Sequence, residues 1–262
     1  MESLSKALGD AEKSTRPAEC KTHGPYTSTL LFGNGVWSRC QECQRLMKEE
    51  SERKTAEREA KELKERIEAR LGRAAIPKRF IGRTFDGFTV TTDAQKKALS
   101  VCREYAEQFK ENHRAGMGLI LSGKPGTGKS HLASAIMQSI LGTHTTQYVT
   151  CMDVIRMIRE TWRKDSERSE RRVLESLGHI DLLVIDEIGV QYGTEGEQTI
   201  LFDVLDIRYR DQMPTILLTN QDMAGARQFL GDRTWDRIRE TGRWVSFDWE
   251  SFRPQARKEA EK

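Results

Sequence analysis

The stretch from Gly118 to His131, GLILSGKPGTGKSH, limits what this chain can become more than any other part of it. An apolar run, GLILS, leads into a complete G-x-x-x-x-G-K-S at Gly123–Ser130, and HLASAIMQSIL follows with helical character. Strand, glycine-rich turn and helix in that order are the context in which this motif binds a polyphosphate. Gly123, Gly126 and Gly128 let the loop, which also holds Pro125, wrap closely, so that the N–H groups of Lys124 and Thr127 and of the helix start at Ser130 and His131 face an anion. Proline supplies no N–H of its own. Lys129 sets a cation against the β- and γ-phosphates of ATP, and the Ser130 hydroxyl is a ligand for Mg²⁺.

The rest of the C-terminal zone fits one sheet around that loop. Candidate strands are Leu119–Ser122, Gln147–Thr150, Asp181–Asp186, Thr215–Thr219 and Trp244–Asp248. Four are almost unbroken aliphatic or aromatic runs, as strands buried on both faces require, and helical patterns lie between them. A parallel α/β sheet flanked by helices is expected. DLLVIDE, whose Asp186 lies 57 residues after Lys129, ends in adjacent carboxylates. Asp186 suits Mg²⁺, and Glu187 suits the water that attacks the γ-phosphate. The run TILLTN ends in Asn220. In a P-loop fold with an additional strand this run lies between the other two, and Asn220 can sense the γ-phosphate.

No apolar run approaches the ~18 residues of a membrane span, and the N-terminus lacks a signal-peptide core. A cytoplasmic protein with reduced cysteines is therefore expected. Cys20-Lys-Thr-His23 and Cys40-Gln-Glu-Cys43 form two short pairs separated by 16 residues. That spacing suits a closed tetrahedral Cys₃His site, for which Zn²⁺ is the matching ion. Cys102 and Cys151 read as small buried side chains.

Residues 1–45 are then a zinc-binding module and 46–75 a charged linker helix with a narrow apolar stripe of Ala56, Ala60, Leu63, Ile67 and Leu71. Residues 76–262 form the ATPase domain. The net charge is only +3, which neither requires nor excludes nucleic acid. Trp162, Arg163, Lys164 and Arg168 combine an aromatic platform with cations, the chemistry of sequence-neutral single-strand binding. Asp165, Glu167 and Glu170 interleave with them, so a plain solvated helix fits the same stretch.

GKPGTGKSHLA, LLVIDEIG, TILLTN and GDRTWDRIRE, with IPKRF ahead of them, resemble the DnaC/IstB branch of AAA+ ATPases over about residues 75–262. The likeness is greatest to helicase loaders of the DnaC type. It implies a P-loop AAA+ fold and a loader that places a hexameric replicative helicase of the DnaB type on single-stranded DNA. It further implies that ATP controls assembly and release and that residues 1–72 grip the helicase, with nucleic-acid contact by the zinc module, through Lys21, Trp37 and Arg39, as the alternative. It also implies that Arg237 is an arginine finger completing a neighbour's ATP site, by self-association through that site, with Arg233 and Arg239 as neighbouring candidates. Arg253 would be a sensor arginine. Only nine residues follow Arg253, so no C-terminal helical lid is expected, and ATP turnover should be weak without a partner. A transposition helper of the IstB type, a small-molecule P-loop kinase and a scaffold that binds ATP without hydrolysing it are the other readings.

Overall fold

The structure, a computed structural model, describes residues 14–32, 35–190 and 193–252. It contains two compact units, residues 1–64 and 65–262. In the first, β1 (Thr15–Cys20), β2 (Gly24–Phe32) and β3 (Val36–Trp37) form an antiparallel sheet in that order. Cys20 pairs with Gly24, so residues 21–23 make a tight turn that brings Cys20 and His23 to one corner. Ser38 fastens the far side, donating its N–H to Thr29 and accepting from Thr29 N–H and the Ser28 hydroxyl. Among the described residues of this unit only Ser28 and Cys40 are buried, so it has no apolar core of its own.

Helix α1 (Gln41–Arg73) begins four residues after Trp37, and Cys43 falls in its first turn. Arg45 with Glu49, Lys54 with Glu50, and Arg58 with Glu62 form one-turn ion pairs along it. Each is a weak, solvent-screened pair, and their repetition suits a helix none of whose residues is buried. Of its apolar stripe, Leu71, which already belongs to the second unit, packs against that unit's core.

That second unit carries α2 (Asp93–Glu107), α3 (Phe109–Ala115), β4 (Gly118–Gly123), α4 (Lys129–Ile140), β5 (Thr146–Thr150) and α5 (Cys151–Thr161). It continues with α6 (Glu170–Gly178), β6 (Leu182–Ile188), α7 (Glu195–Arg210), β7 (Thr215–Thr219), α8 (Met223–Leu230), α9 (Asp232–Thr241) and β8 (Gly242–Phe247). The five strands are all parallel, in the order β5-β6-β7-β4-β8. The expected sheet is present, and β7 does separate the two strands that carry the phosphate loop and the paired carboxylates. Alternate strand residues feed two cores. Leu119, Leu121, Val184 and Leu218 pack under α2 and α4, while Ile120, Leu183, Ile185 and Leu217 pack against α5 and α7. Cys102 and Cys151 are buried in these cores, and burial pushes both thiols up to about 12. No helix among the described residues is long and apolar enough to cross a membrane.

Candidate active site and candidate metal centre

Ligands of open parallel sheets bind at the carboxyl ends of the strands, and the predicted residues gather there. Gly128, at a φ of 99°, turns the chain from loop into α4. A Cβ at Gly128 would stand 2.5 Å from the Phe88 ring, and one at Gly123 would stand 2.3 Å from the Phe247 carbonyl. Glycine is therefore required at both places by close approach as well as by backbone angle. Lys129 opens α4 and lies buried across the loop, donating to the carbonyls of Gly123 (2.5 Å) and Lys124 (2.9 Å) and to Asn220 Oδ1 (2.9 Å). The ends of β4 and β7 thus meet at one ammonium.

Ser130 Oγ donates to Asp186 Oδ2 at 3.1 Å, which brings together the two oxygen groups that suit Mg²⁺. Asp186 Oδ1 accepts the N–H of Glu187 at 2.6 Å. Glu187 is exposed and sits in the left-handed region at a φ of 63°. There the pairing of β6 with β7 slips between Ile185 and Ile188. This bulge turns Glu187 out of the strand's alternation, at a cost of about 1–2 kcal/mol for a residue with a Cβ.

Three supports of the loop carried no sequence signal. The Trp249 indole N–H donates to Thr127 O at 3.0 Å, Phe252 N–H to Gly126 O at 2.9 Å, and Lys124 lies 3.4 Å from Glu250. The chain following β8 therefore braces the outer side of the phosphate loop. His131 turns to the segment ahead of the sheet, with Nε2–H donating to Thr84 O at 2.8 Å and the Phe88 ring edge-on. Burial lowers its pKa below the ordinary histidine value. Tyr148, also without a sequence signal, donates its hydroxyl to Asp186 Oδ2, and burial and that carboxylate raise its pKa above the ordinary phenol range.

In the first unit Cys20, His23, Cys40 and Cys43 converge, with every ligand atom within 4.8 Å of the others. Cys20 Sγ is 3.5 Å from Cys43 Sγ, and His23 Nδ1 is 3.6, 3.7 and 3.3 Å from the sulfurs of Cys20, Cys40 and Cys43. A tetrahedral zinc ion with Zn–S of about 2.3 Å sets ligand separations of roughly 3.5–3.8 Å, so this donor set fits one. The backbone N–H groups of Thr22 and His23, with Cys43 adding to them, hold the Cys20 thiol down to about 6. The same contact pushes the Cys43 thiol up to about 11, so the pair favours one thiolate, at Cys20.

Residues 37–260 match the family model described as IstB-like ATP binding protein. The chain belongs to that family. Among relatives, a protein named Replicative helicase loader DnaC from Buchnera aphidicola subsp. Acyrthosiphon pisum is 38% identical over 185 residues, 70% of this chain and 74% of the relative. The protein of the same name from Escherichia coli (strain K12) is 40% identical over 172 residues, 65% of this chain and 69% of the relative. A crystal structure of the DnaC helicase loader superposes with a TM-score of 0.59 at 22% identity. It covers 65% of this chain and 99% of that one, a likeness of fold.

The arginines and the tryptophan of this family member are placed as follows. Arg237, in α9, pairs with Asp206 of α7 and lies over the rings of Phe202 (4.7 Å) and Tyr209 (5.4 Å) of the same helix. Arg233, one turn earlier, is exposed and has no ion-pair or hydrogen-bond partner among the described residues. Arg253 lies outside the described residues. Trp162 caps α5 with 60% of its surface exposed, and its indole N–H donates to Glu170 Oε2 at 2.6 Å. Arg163, Lys164 and Arg168 are exposed beside it, Arg163 at 3.5 Å from Asp165.

Proposed function

We propose that this chain is an ATP-hydrolysing loader that delivers a hexameric replicative helicase of the DnaB type to single-stranded DNA. The observation that carries the proposal is the meeting of Lys129, Ser130, Asp186, Glu187 and Asn220 at one end of the sheet, in a chain 38% identical to a DnaC loader over most of its length. Lys129, drawn from the loop carbonyls, would neutralise the β- and γ-phosphates. Ser130 and Asp186 would hold Mg²⁺, which supplies charge neutralisation between those phosphates. Glu187 would orient and deprotonate the attacking water, and Asn220, already bonded to Lys129, would report the γ-phosphate. Arg237 would act on a neighbour's ATP after exchanging Asp206 for phosphate, so turnover by an isolated chain is slow. Arg253 would serve as a sensor arginine.

Residues 1–45 form the zinc-binding module, whose last ligand Cys43 already lies in the charged helix α1 (Gln41–Arg73), and 76–262 form the ATPase domain. Cys20, His23, Cys40 and Cys43 hold Zn²⁺ in a closed site whose task is to fold the module. Residues 1–72 grip the helicase. Trp162, Arg163, Lys164 and Arg168 contact single-stranded DNA by stacking and charge. The test is size-exclusion chromatography with mass detection of this chain with the helicase from the same source, with and without ATP. A stoichiometric complex lost on removal of residues 1–72 is expected. Its absence in both conditions would overturn the loader reading and bring the transposition helper forward.

A further inference from the structure

The Asp186 carboxylate is held on both its oxygens. Oδ1 accepts the Glu187 N–H at 2.6 Å, and Oδ2 accepts Ser130 Oγ at 3.1 Å together with the Tyr148 hydroxyl. Glu187 N and Ser130 belong to the motifs themselves. Tyr148 does not: it comes from β5, the strand at the sheet edge, and belongs to neither motif. We propose that Tyr148 is a positioning residue that fixes the Mg²⁺-binding carboxylate of Asp186.

The geometry gives three reasons. The ring cannot wander: Tyr148 is 5% exposed, packed in the core beneath α2 and α4, and its backbone N–H is tied to Ala74 O at 2.7 Å. Its reach is set by register, because Tyr148 lies opposite Val184, Thr150 lies opposite Asp186, and the phenol spans that two-residue offset. A free phenol keeps its proton at neutral pH, so this hydroxyl is a donor to a carboxylate that can only accept. A carboxylate free to rotate would present either oxygen to the cation, whereas the triple hold leaves one orientation. Partners of this kind behind a metal ligand typically contribute ~10–100-fold in metal affinity.

The inference rests on the nucleotide-site reading above, and the test separates the two. Binding of a fluorescent ATP analogue to the full chain is followed by anisotropy while Mg²⁺ is titrated, for wild type and Tyr148→Phe. Affinity for the analogue in excess chelator and the thermal midpoint are measured alongside. The phenylalanine keeps the ring and its packing. The Mg²⁺ concentration at half-saturation is expected to rise ~10-fold or more in Tyr148→Phe, with chelator-state affinity and thermal midpoint unchanged. An unchanged or lowered Mg²⁺ requirement, beside a wild type that responds to Mg²⁺, would overturn the role of Tyr148 alone. So would a fall in chelator-state affinity or midpoint that accounts for the whole effect, since Tyr148 would then be only structural. A wild type that binds no nucleotide with or without Mg²⁺ would overturn the nucleotide site and this role with it.

Discussion

Replacing Glu187 tests whether the bulge at the end of β6 exists for chemistry. Its φ of 63° costs about 1–2 kcal/mol for a side chain bearing a Cβ, and the break in register after Ile185 marks where that cost is taken. Glu187→Gln keeps shape and backbone but cannot accept a proton. Loss of a general base typically costs 10²–10⁴ in rate, ~3–5 kcal/mol of barrier. Glu187→Gly removes the same base and relieves the backbone, against about 0.5–1 kcal/mol of extra chain entropy in the unfolded state. The two variants should therefore be equally inactive, and the glycine form as stable as wild type or up to about 1.5 kcal/mol more stable. Single-turnover hydrolysis, with helicase and DNA present, reads the first quantity, and urea denaturation reads the second. Nucleotide affinity should not change in either variant. Turnover of Glu187→Gln within threefold of wild type would refute the assignment, and a glycine variant less stable by ~1 kcal/mol or more would refute the strain argument.

Thiol titration at pH 8 separates the two groups of cysteines. Native protein should react little, chelator should expose Cys20, Cys40 and Cys43, and denaturant should add Cys102 and Cys151; release of all five by chelator alone would contradict the division. Arg208 is 1% exposed and donates to the carbonyls of Leu177, Gly178 and Pro214 and to Thr215 Oγ1. Arg208→Met takes this donor from the buried carbonyls of Leu177 and Gly178, while Pro214 O keeps the Leu183 N–H, and should cost ~3–5 kcal/mol in chemical denaturation, where a loss under ~1 kcal/mol would show that water replaces the bonds. Trp162→Ala with Arg163→Ala should weaken single-stranded DNA binding at least ~10-fold and flatten its salt dependence; an unchanged affinity would return this stretch to a solvated surface.

The parallel sheet was legible because strands buried on both faces leave unbroken apolar runs such as LLVI and TILL, and the phosphate loop was legible because glycine spacing is itself the mechanism. The N-terminal strands were not. TRPAEC carries no apolar alternation, since β1 is largely exposed and is held by its turn and the ligand corner rather than by a core. The sequence placed a charged helix from residue 46, whereas α1 begins at Gln41 and carries Cys43 in its first turn, a start hidden by the metal-like spacing of the cysteines. Tyr148 on Asp186 and Asp206 on Arg237 were equally hidden, because each joins residues dozens of positions apart through strand order and helix packing. Trp249 behind Thr127 depends in the same way on β8 lying beside β4.

The most direct measurement is transfer of the replicative helicase from the same source onto closed circular single-stranded DNA, counted as DNA-retained helicase after a high-salt wash. It is made with wild type, with Lys129→Ala and without the chain, each with and without ATP. Transfer should require both the wild-type chain and ATP, with Lys129→Ala at the level of no added chain. Equal transfer by Lys129→Ala, or by helicase alone, would contradict an ATP-controlled loader.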